Sequence, residues 1–189
     1  MFNFTISMKS FSNHFLISMP HMNDPIFSKS LIYECEHNKE GSMGLIINKP
    51  MILENAADII QQTGLHHIQP MPDIYFGGPV NLEMGLFLHD TSYDIEGTLS
   101  VSKSISLTSN KQIVVDLKNG TGPSEYHFSF GYAGWGKGQV EREIENGDWL
   151  VMPADDEFIF SIPNPDKWQK AASKFGIDIL DLGGSAGIA

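Results

Sequence analysis

Alternation of apolar and polar residues predicts most of the strands of this chain. In the segment 126–132, aromatic side chains occupy every second position, which is typical of a strand with two different faces. The segment 43–48 is apolar on both faces and is predicted to be a central strand, joined to 31–35 by a polar loop in a long-looped antiparallel hairpin. In that first hairpin strand, the alternation puts Glu34 and Glu36 on the same face. Further short strands are predicted at 14–18, 73–76, 85–89, 149–152 and 158–162.

Apolar residues spaced three and four apart predict helices between these strands. The predicted spans are 53–62, 109–118 and 139–146. Ser109 and Gln112 have the spacing of a capping box at the start of the second helix,. The glycine-rich segment 134–138 is predicted to be a loop that leads into the third.

The last predicted helix has the clearest boundaries. Asn164 is its predicted N-cap, Pro165 its first residue and Gly176 its end,. Its buried face is predicted to consist of Trp168, Ala171, Ala172 and Phe175. Because strands come in hairpins and short runs, without a regular βαβαβ order, the pattern favours an α+β fold.

Chain length predicts one domain. The chain has 189 residues, which is enough to bury a core without a disulfide or a structural metal. We expect a frayed segment at 1–12 and a single domain at 13–189. The N-terminal sequence lacks the pattern of a secretory signal, and no apolar run approaches a membrane span. The single cysteine, Cys35, fits a reducing compartment, so a cytoplasmic protein is predicted.

Net charge argues against a nucleic-acid partner. The chain carries 12 basic and 23 acidic residues, for a net charge of −11. Binding to DNA or RNA draws most of its affinity from basic residues that neutralise phosphates, and the lysines of this sequence are scattered. Direct nucleic-acid binding is therefore not expected, although a regulator that acts through a protein partner stays open.

The familiar signatures of catalysis and cofactor binding are not found in the sequence. The histidines lack the short spacing of zinc ligands, and Cys35 lies between two glutamates, which disfavour a thiolate,. Gly77 and Gly78 follow a predicted strand, but a proline comes next where a phosphate-binding loop would enter a helix,. We therefore predict no metal and no cofactor.

The stretch 131–141 is the most unusual part of the sequence. Glycines permit close backbone approach there, beside two aromatic residues and the first turn of a helix with free N–H groups,. These features can frame a small polar ligand, or they can be structural, with Trp135 in the core and Glu141 complementing the helix dipole. The candidate ligand-binding residues are Asn48, Lys49, Gly77, Gly78, Tyr132, Trp135, Gln139 and Glu141.

Several of these segments resemble the YqgE/AlgH family. The resemblance rests on His14 to Pro20, Asp24 to Phe27, Cys35 to His37, Met43 to Pro50, Gly77 to Val80, Leu88 to His89, and Gly131 to Glu141. It covers about 13 to 182 and implies a coiled, largely antiparallel β-sheet or barrel-like core flanked by helices. One branch of the family is named as a transcriptional regulator of alginate production, and the resemblance supplies no catalytic residues. The chain departs from the family pattern at Met84, in place of arginine, and at Ile188, in place of histidine.

These observations favour a non-catalytic protein that binds a ligand or a protein partner, with the candidate residues forming one cleft at strand ends. Two alternatives stay open. One is a regulator of transcription that acts through a partner. The other is a small-molecule hydrolase with His37, His89 or Glu141 as acid or base, with the catalytic residues unknown.

Overall fold

A curled, largely antiparallel sheet forms the centre of the computed structural model, which describes residues 10–52 and 57–176 except for the side chain at 59. Within these residues nine strands join one sheet, in the order β6-β7-β5-β8-β3-β2-β1-β9, with β4 parallel to β8. The strands are β1 (His14–Ser18), β2 (Leu31–Asn38), β3 (Gly41–Ile46), β4 (Ile74–Phe76), β5 (Val80–Asp90), β6 (Leu99–Ser100), β7 (Ile105–Thr108), β8 (Tyr126–Gly136) and β9 (Trp149–Pro153).

Helices cover both faces of this sheet, so the α+β fold is confirmed. They are α1 (Ala57–Thr63), α2 (Gln112–Asn119), α3 (Gln139–Glu145), α4 (Asp156–Phe160) and α5 (Asn164–Ser173), with a short 3-10 helix at Leu65–His67. No helix in the described ranges is long and apolar enough to cross a membrane.

Strand alternation sends neighbouring residues to different cores, which defines two faces. The first face carries Phe15, Tyr33 and Leu88, and packs against Phe158 of α4 and Trp168 of α5. The second face has two smaller cores. One lies beneath α1 and α2, and the other lies beneath α3.

The β2–β3 hairpin is tighter than predicted. β2 continues to Asn38 and β3 begins at Gly41, so a two-residue turn replaces the predicted long loop. A bulge between Glu34 and Glu36 also changes the alternation, because Glu34 lies opposite Gly44 whereas Glu36 lies opposite Met43. Glu36 therefore lies on the first face and Glu34 on the second, whereas the sequence analysis predicted both on the same face.

Two other sequence predictions are corrected. The segment 134–138 is not all loop, because β8 runs on to Gly136 and pairs with β3. The segment 158–162 is not a strand but belongs mainly to α4, where Asp155 Oδ1 accepts a hydrogen bond from Glu157 N at 3.2 Å and caps the helix,. In addition, the edge strand β6 and its neighbour β7 were not predicted.

Helix ends also differ in detail. Ser109 does not cap α2, since the residue before the helix is Lys111 and Asn110 Oδ1 accepts from Gln112 N. Asn164 is the first residue of α5 rather than its N-cap. Phe175 is 44% exposed rather than buried. The first predicted helix is observed from 57, and 53–56 lie outside the described residues.

Candidate functional site

Trp135 lies in the core beneath α3 rather than in a loop. Its side chain is 6% exposed and its indole Nε1 donates to Glu143 Oε2 at 2.8 Å. Trp149 Nε1 donates to the same oxygen at 2.9 Å, and Gln139 Nε2 donates to Oε1 at 2.9 Å. Both oxygens of Glu143 are thus used to join β8, β9 and α3, which gives Trp135 a structural role.

Glu141 forms a pair with His37. His37 Nε2 lies 3.0 Å from Glu141 Oε1, and Phe11 N donates to His37 Nδ1 at 3.1 Å. Since Nδ1 accepts that bond, the ring proton is on Nε2 and is donated to the carboxylate. Two of the three hydrolase candidates therefore meet, but both ring nitrogens of His37 are already hydrogen-bonded. His89 is elsewhere, on β5 with Nδ1 at 2.8 Å from Asp90 O.

Asn48 and Lys49 hold the loop before β2. Asn48 Oδ1 accepts from Leu31 N and its Nδ2 donates to Lys29 O, both at 2.9 Å. Lys49 Nζ donates to Ile26 O, and burial lowers the pKa of this lysine while Asp24 opposes the shift. All of these contacts are internal, so the two polar side chains are already engaged within the fold.

Gly77 and Gly78 are needed for close backbone approach to β8. A Cβ at Gly77 would lie 2.3 Å from Gly131 O, and one at Gly78 would lie 2.2 Å from the carbonyl carbon of Tyr132. Gly78 also has φ +150°, which L side chains rarely adopt. The structure thus spreads most of the candidate residues over separate contacts and brings Tyr132 and Trp135 together at one cavity.

That cavity, which we call the strand groove, occupies about 730 Å³ on the first face. Its apolar side chains include Met43, Met84, Leu86, Leu99, Leu107 and Tyr132, and its polar side chains include Glu36, Asn38, Glu40, Asn81 and Ser109. The bulge in β2 places Glu36 there, and the register shift in β5 between Val80 and Gly85 shapes the opposite wall. Among the residues that the structure describes, no lysine, arginine or histidine lines the groove. The lining is therefore apolar with an acidic rim.

A second cavity, which we call the helix pocket, occupies about 600 Å³ beside α5. It is lined by Lys167, His127, Tyr75 and Asp73, among others. The sequence analysis did not single out any of these four. One signal was available, because Lys167 lies four residues before Ala171, on the buried side of the predicted helix.

Two further buried groups are Glu34, to which the sequence analysis gave no function, and Cys35, which it predicted not to form a thiolate. Glu34 is fully buried below α3, and burial raises the pKa of its carboxyl to about 8. Cys35 is 3% exposed on the first face, and burial raises the pKa of its thiol, so a thiolate nucleophile is disfavoured. No group of three His, Cys, Asp or Glu side chains that could hold a metal ion occurs in 10–52 and 57–176.

Comparison with known proteins places these features in a family. The sequence model described as AlgH-like matches residues 15–180. A "UPF0301 protein" of Saccharophagus degradans is 44% identical over 94% of this chain and 88% of its own length. One of Cupriavidus metallidurans is 42% identical over 93% and 94%.

Solved structures agree with the fold. The AlgH protein from Pseudomonas aeruginosa, solved in solution, has a TM-score of 0.74 and 35% identity, over 97% of this chain and 98% of that one. A Corynebacterium diphtheriae protein has a TM-score of 0.72 at 19% identity, over 94% and 93%, and supports the fold alone. Met84, one of the two departures from the family pattern, lies in the strand groove, whereas Ile188 lies outside the described residues.

Proposed function

We propose that this chain, which belongs to the AlgH-like family, is a cytoplasmic, non-catalytic binding protein whose ligand occupies the strand groove. The ligand we infer is a small amphiphile with an apolar body and an uncharged or cationic head group. The observation that carries the proposal is the lining of the groove, which combines an apolar floor with an acidic rim. Ligand sites are typically concave, mostly apolar and of this size.

The apolar body is matched by the floor of the groove. Met43, Met84 and Tyr132 are partly buried and pack against the core of the first face. Methionine adapts its shape to irregular partners. Leu99 adds apolar surface at the mouth, where it is 37% exposed.

The head group is matched by the rim. Glu36 and Glu40 are both exposed and both line the groove. Glu40 forms an exposed ion pair with Lys39, whose Nζ lies 3.9 Å from its Oε1, so Glu36 supplies most of the negative charge with which the rim disfavours an anionic head group.

Fluorescence titration tests the proposal with two dyes of similar size, neutral N-phenylnaphthylamine and anionic anilinonaphthalene sulfonate. The neutral dye is expected to bind with one saturable site, and the anionic dye about tenfold or more weakly, which corresponds to about 1.4 kcal/mol. Leu99→Asp should weaken the neutral dye. Val115→Asp is the matched control, because Val115 is an exposed apolar residue, 47% exposed on α2, outside the groove.

Equal binding of the two dyes would contradict the inferred head group, and equal weakening by both variants would contradict the location. If neither dye showed saturable binding, the proposal of a small-molecule ligand would be contradicted, and binding of a protein partner would be the remaining function.

The two alternative functions receive less support from the geometry. A hydrolase that used His37 as its base would need a free ring nitrogen, and both are hydrogen-bonded to protein groups,. A regulator of transcription would have to work through a partner, because a net charge of −11 opposes contact with phosphates,.

A further inference from the structure

Lys167 is a buried cation with part of its hydrogen-bonding capacity left over. It is 2% exposed, and its Nζ donates to Ile47 O at 3.0 Å and to Ile159 O at 3.1 Å. An ammonium has three N–H groups, and the contacts within the described residues use two of them. Since the side chain also lines the helix pocket, the third N–H is available to a group bound there.

His127 is the second group in the pocket without a complete set of partners. It is 3% exposed on β8, and its Nε2 is buried with no hydrogen-bond partner in the described part of the chain. Its ring stacks on Tyr75 with centroids 3.8 Å apart, which fixes its position in the wall. Burial lowers the pKa of His127, and the charge of Lys167 lowers it further, so the ring is neutral, and in the tautomer that carries its proton on Nε2 it has an N–H to donate there. An unpaired buried nitrogen is costly, and a bound acceptor would satisfy it.

The start of α5 adds a favourable field. Helix α5 has ten residues and begins at Asn164, which lines the pocket. The N-terminus of a helix carries partial positive charge and attracts anions. Asn164 Nδ2 donates to Tyr75 Oη at 2.9 Å, which ties the helix start to the strand that supports the His127 ring.

Two carboxylates oppose this field. Asp73 lines the pocket and Asp166 lies in the first turn of α5, and both are exposed. Asp166 is offset by Lys170, whose Nζ lies 3.7 Å from Asp166 Oδ2, and Asp73 favours the charged form of the buried Lys167. Burial lowers the pKa of Lys167 to about 8, so the ammonium is still mostly protonated at pH 7 and the bottom of the pocket carries its positive charge.

We propose that the helix pocket is a binding site for a small anion, a phosphate or carboxylate group that accepts hydrogen bonds from Lys167 Nζ and His127 Nε2. The site is separate from the strand groove and does not depend on the function proposed for it. Phosphate and carboxylate share the acceptor chemistry, so the test includes one probe of each.

Isothermal titration and thermal unfolding with inorganic phosphate and with acetate test the site. We expect saturable 1:1 binding of at least one of the two, with a Kd below about 10 mM and an accompanying rise in Tm. Binding of phosphate alone would identify the phosphate class, and binding of acetate alone the carboxylate class. Lys167→Met, which keeps the apolar stem, should abolish binding.

His127→Phe provides the second variant, because it retains an aromatic ring that can stack on Tyr75 and removes only the ring nitrogens. It should raise the Kd about tenfold or more, and it decides the question if Lys167→Met does not fold. Lys103→Met is the matched control, since Lys103 is an exposed lysine between β6 and β7 that does not line the helix pocket. Leu99→Asp should leave anion binding unchanged. Absence of saturable binding to both probes, or equal affinity of wild type and His127→Phe, would overturn the proposal.

Discussion

Glu34 makes a sharp prediction about how stability depends on pH. Its side chain is fully buried on the second face, and neither carboxyl oxygen has a hydrogen-bond partner within the described residues. Burial raises the pKa of this carboxyl from 4.5 to about 8. Ser42 lowers the pKa and Glu141 raises it, both less than burial does. The Ser42 hydroxyl makes no hydrogen bond to the carboxyl, so burial dominates the shift.

The size of the effect follows from proton linkage. Between pH 4.5 and about 8, Glu34 is protonated in the folded state and ionised in the unfolded state. The folded state then binds one more proton, so the free energy of unfolding falls as pH rises, by about 1.4 kcal/mol per pH unit. This stability is fully present below pH 4.5 and is lost by about pH 8.

Glu34→Gln isolates this contribution. Glutamine has the same shape and no titration, so the free energy of unfolding of the variant should lack the fall due to Glu34. Other groups that titrate in this range contribute equally to both proteins and cancel in the difference. Glu83→Gln, at an exposed position on β5, is the control and should run parallel to the wild type.

Urea unfolding at intervals between about pH 5 and 8 measures the difference, provided that each transition is two-state. The free energies of wild type and Glu34→Gln should converge or cross with a relative slope of about 1.4 kcal/mol per pH unit. Parallel curves over the whole range would refute the argument, because they would mean that Glu34 has the same pKa in both states.

Two further substitutions test the supports of the candidate site, each by urea unfolding at constant pH. Glu143→Ala removes the acceptor of two buried indole N–H groups and should lower the free energy of unfolding by about 2 kcal/mol or more. Glu145→Ala, at an exposed position of the same helix, should lower it much less. Equal losses would contradict the role of Glu143. Gly78→Ala should lower the free energy of unfolding by about 2 kcal/mol more than Gly97→Ala does. Both glycines have positive φ, but of the two only Gly78 would place a Cβ against backbone, at 2.2 Å. Similar losses would contradict this reasoning, because they would mean that the backbone of β8 shifts to accommodate the Cβ.

Alternation along the strands predicted which residues face each core, up to the point where pairing becomes irregular. Leu31 and Tyr33 lie on one face and Ile32 on the other, as predicted. The bulge at Cys35 then reverses the alternation. The position of this bulge depends on which residue of β3 pairs with each residue of β2, and the sequence of β2 alone does not specify that pairing. A bulge of one residue exchanges the two faces for everything beyond it. This is why the rim position of Glu36 and the contact of His37 with Glu141 could not be read from the sequence.

The segment 158–162 shows a second limit. A short apolar run fits a strand and a buried helix equally well. The deciding feature is Asp155, whose side chain caps α4. An aspartate before an apolar run is a recognisable helix signal, so this error was avoidable, whereas the bulge was not.

The helix pocket required knowledge of tertiary contacts. His127 occupies a polar position of an alternating strand, and such positions normally face water. Here α4 and α5 lie over the first face, so both faces of β8 are buried at that point. Lys167 lies 40 residues further along the chain and reaches the same wall, where its charge lowers the pKa of His127.

The location of the strand groove follows from how much of the sheet two short helices can cover. Eight strands in sequence span about 34 Å at a spacing of about 4.8 Å,. Helices α4 and α5, at about 10 Å each, cover about 20 Å of that width. They pack against β1, β2 and β8, so the uncovered part lies towards β5, β6 and β7. The curl of the sheet makes that part concave, and among the described residues its lining leaves Val80 and Leu99 exposed. A ligand that is apolar along its body is what the remaining surface can bury, and the acidic rim then selects its head group.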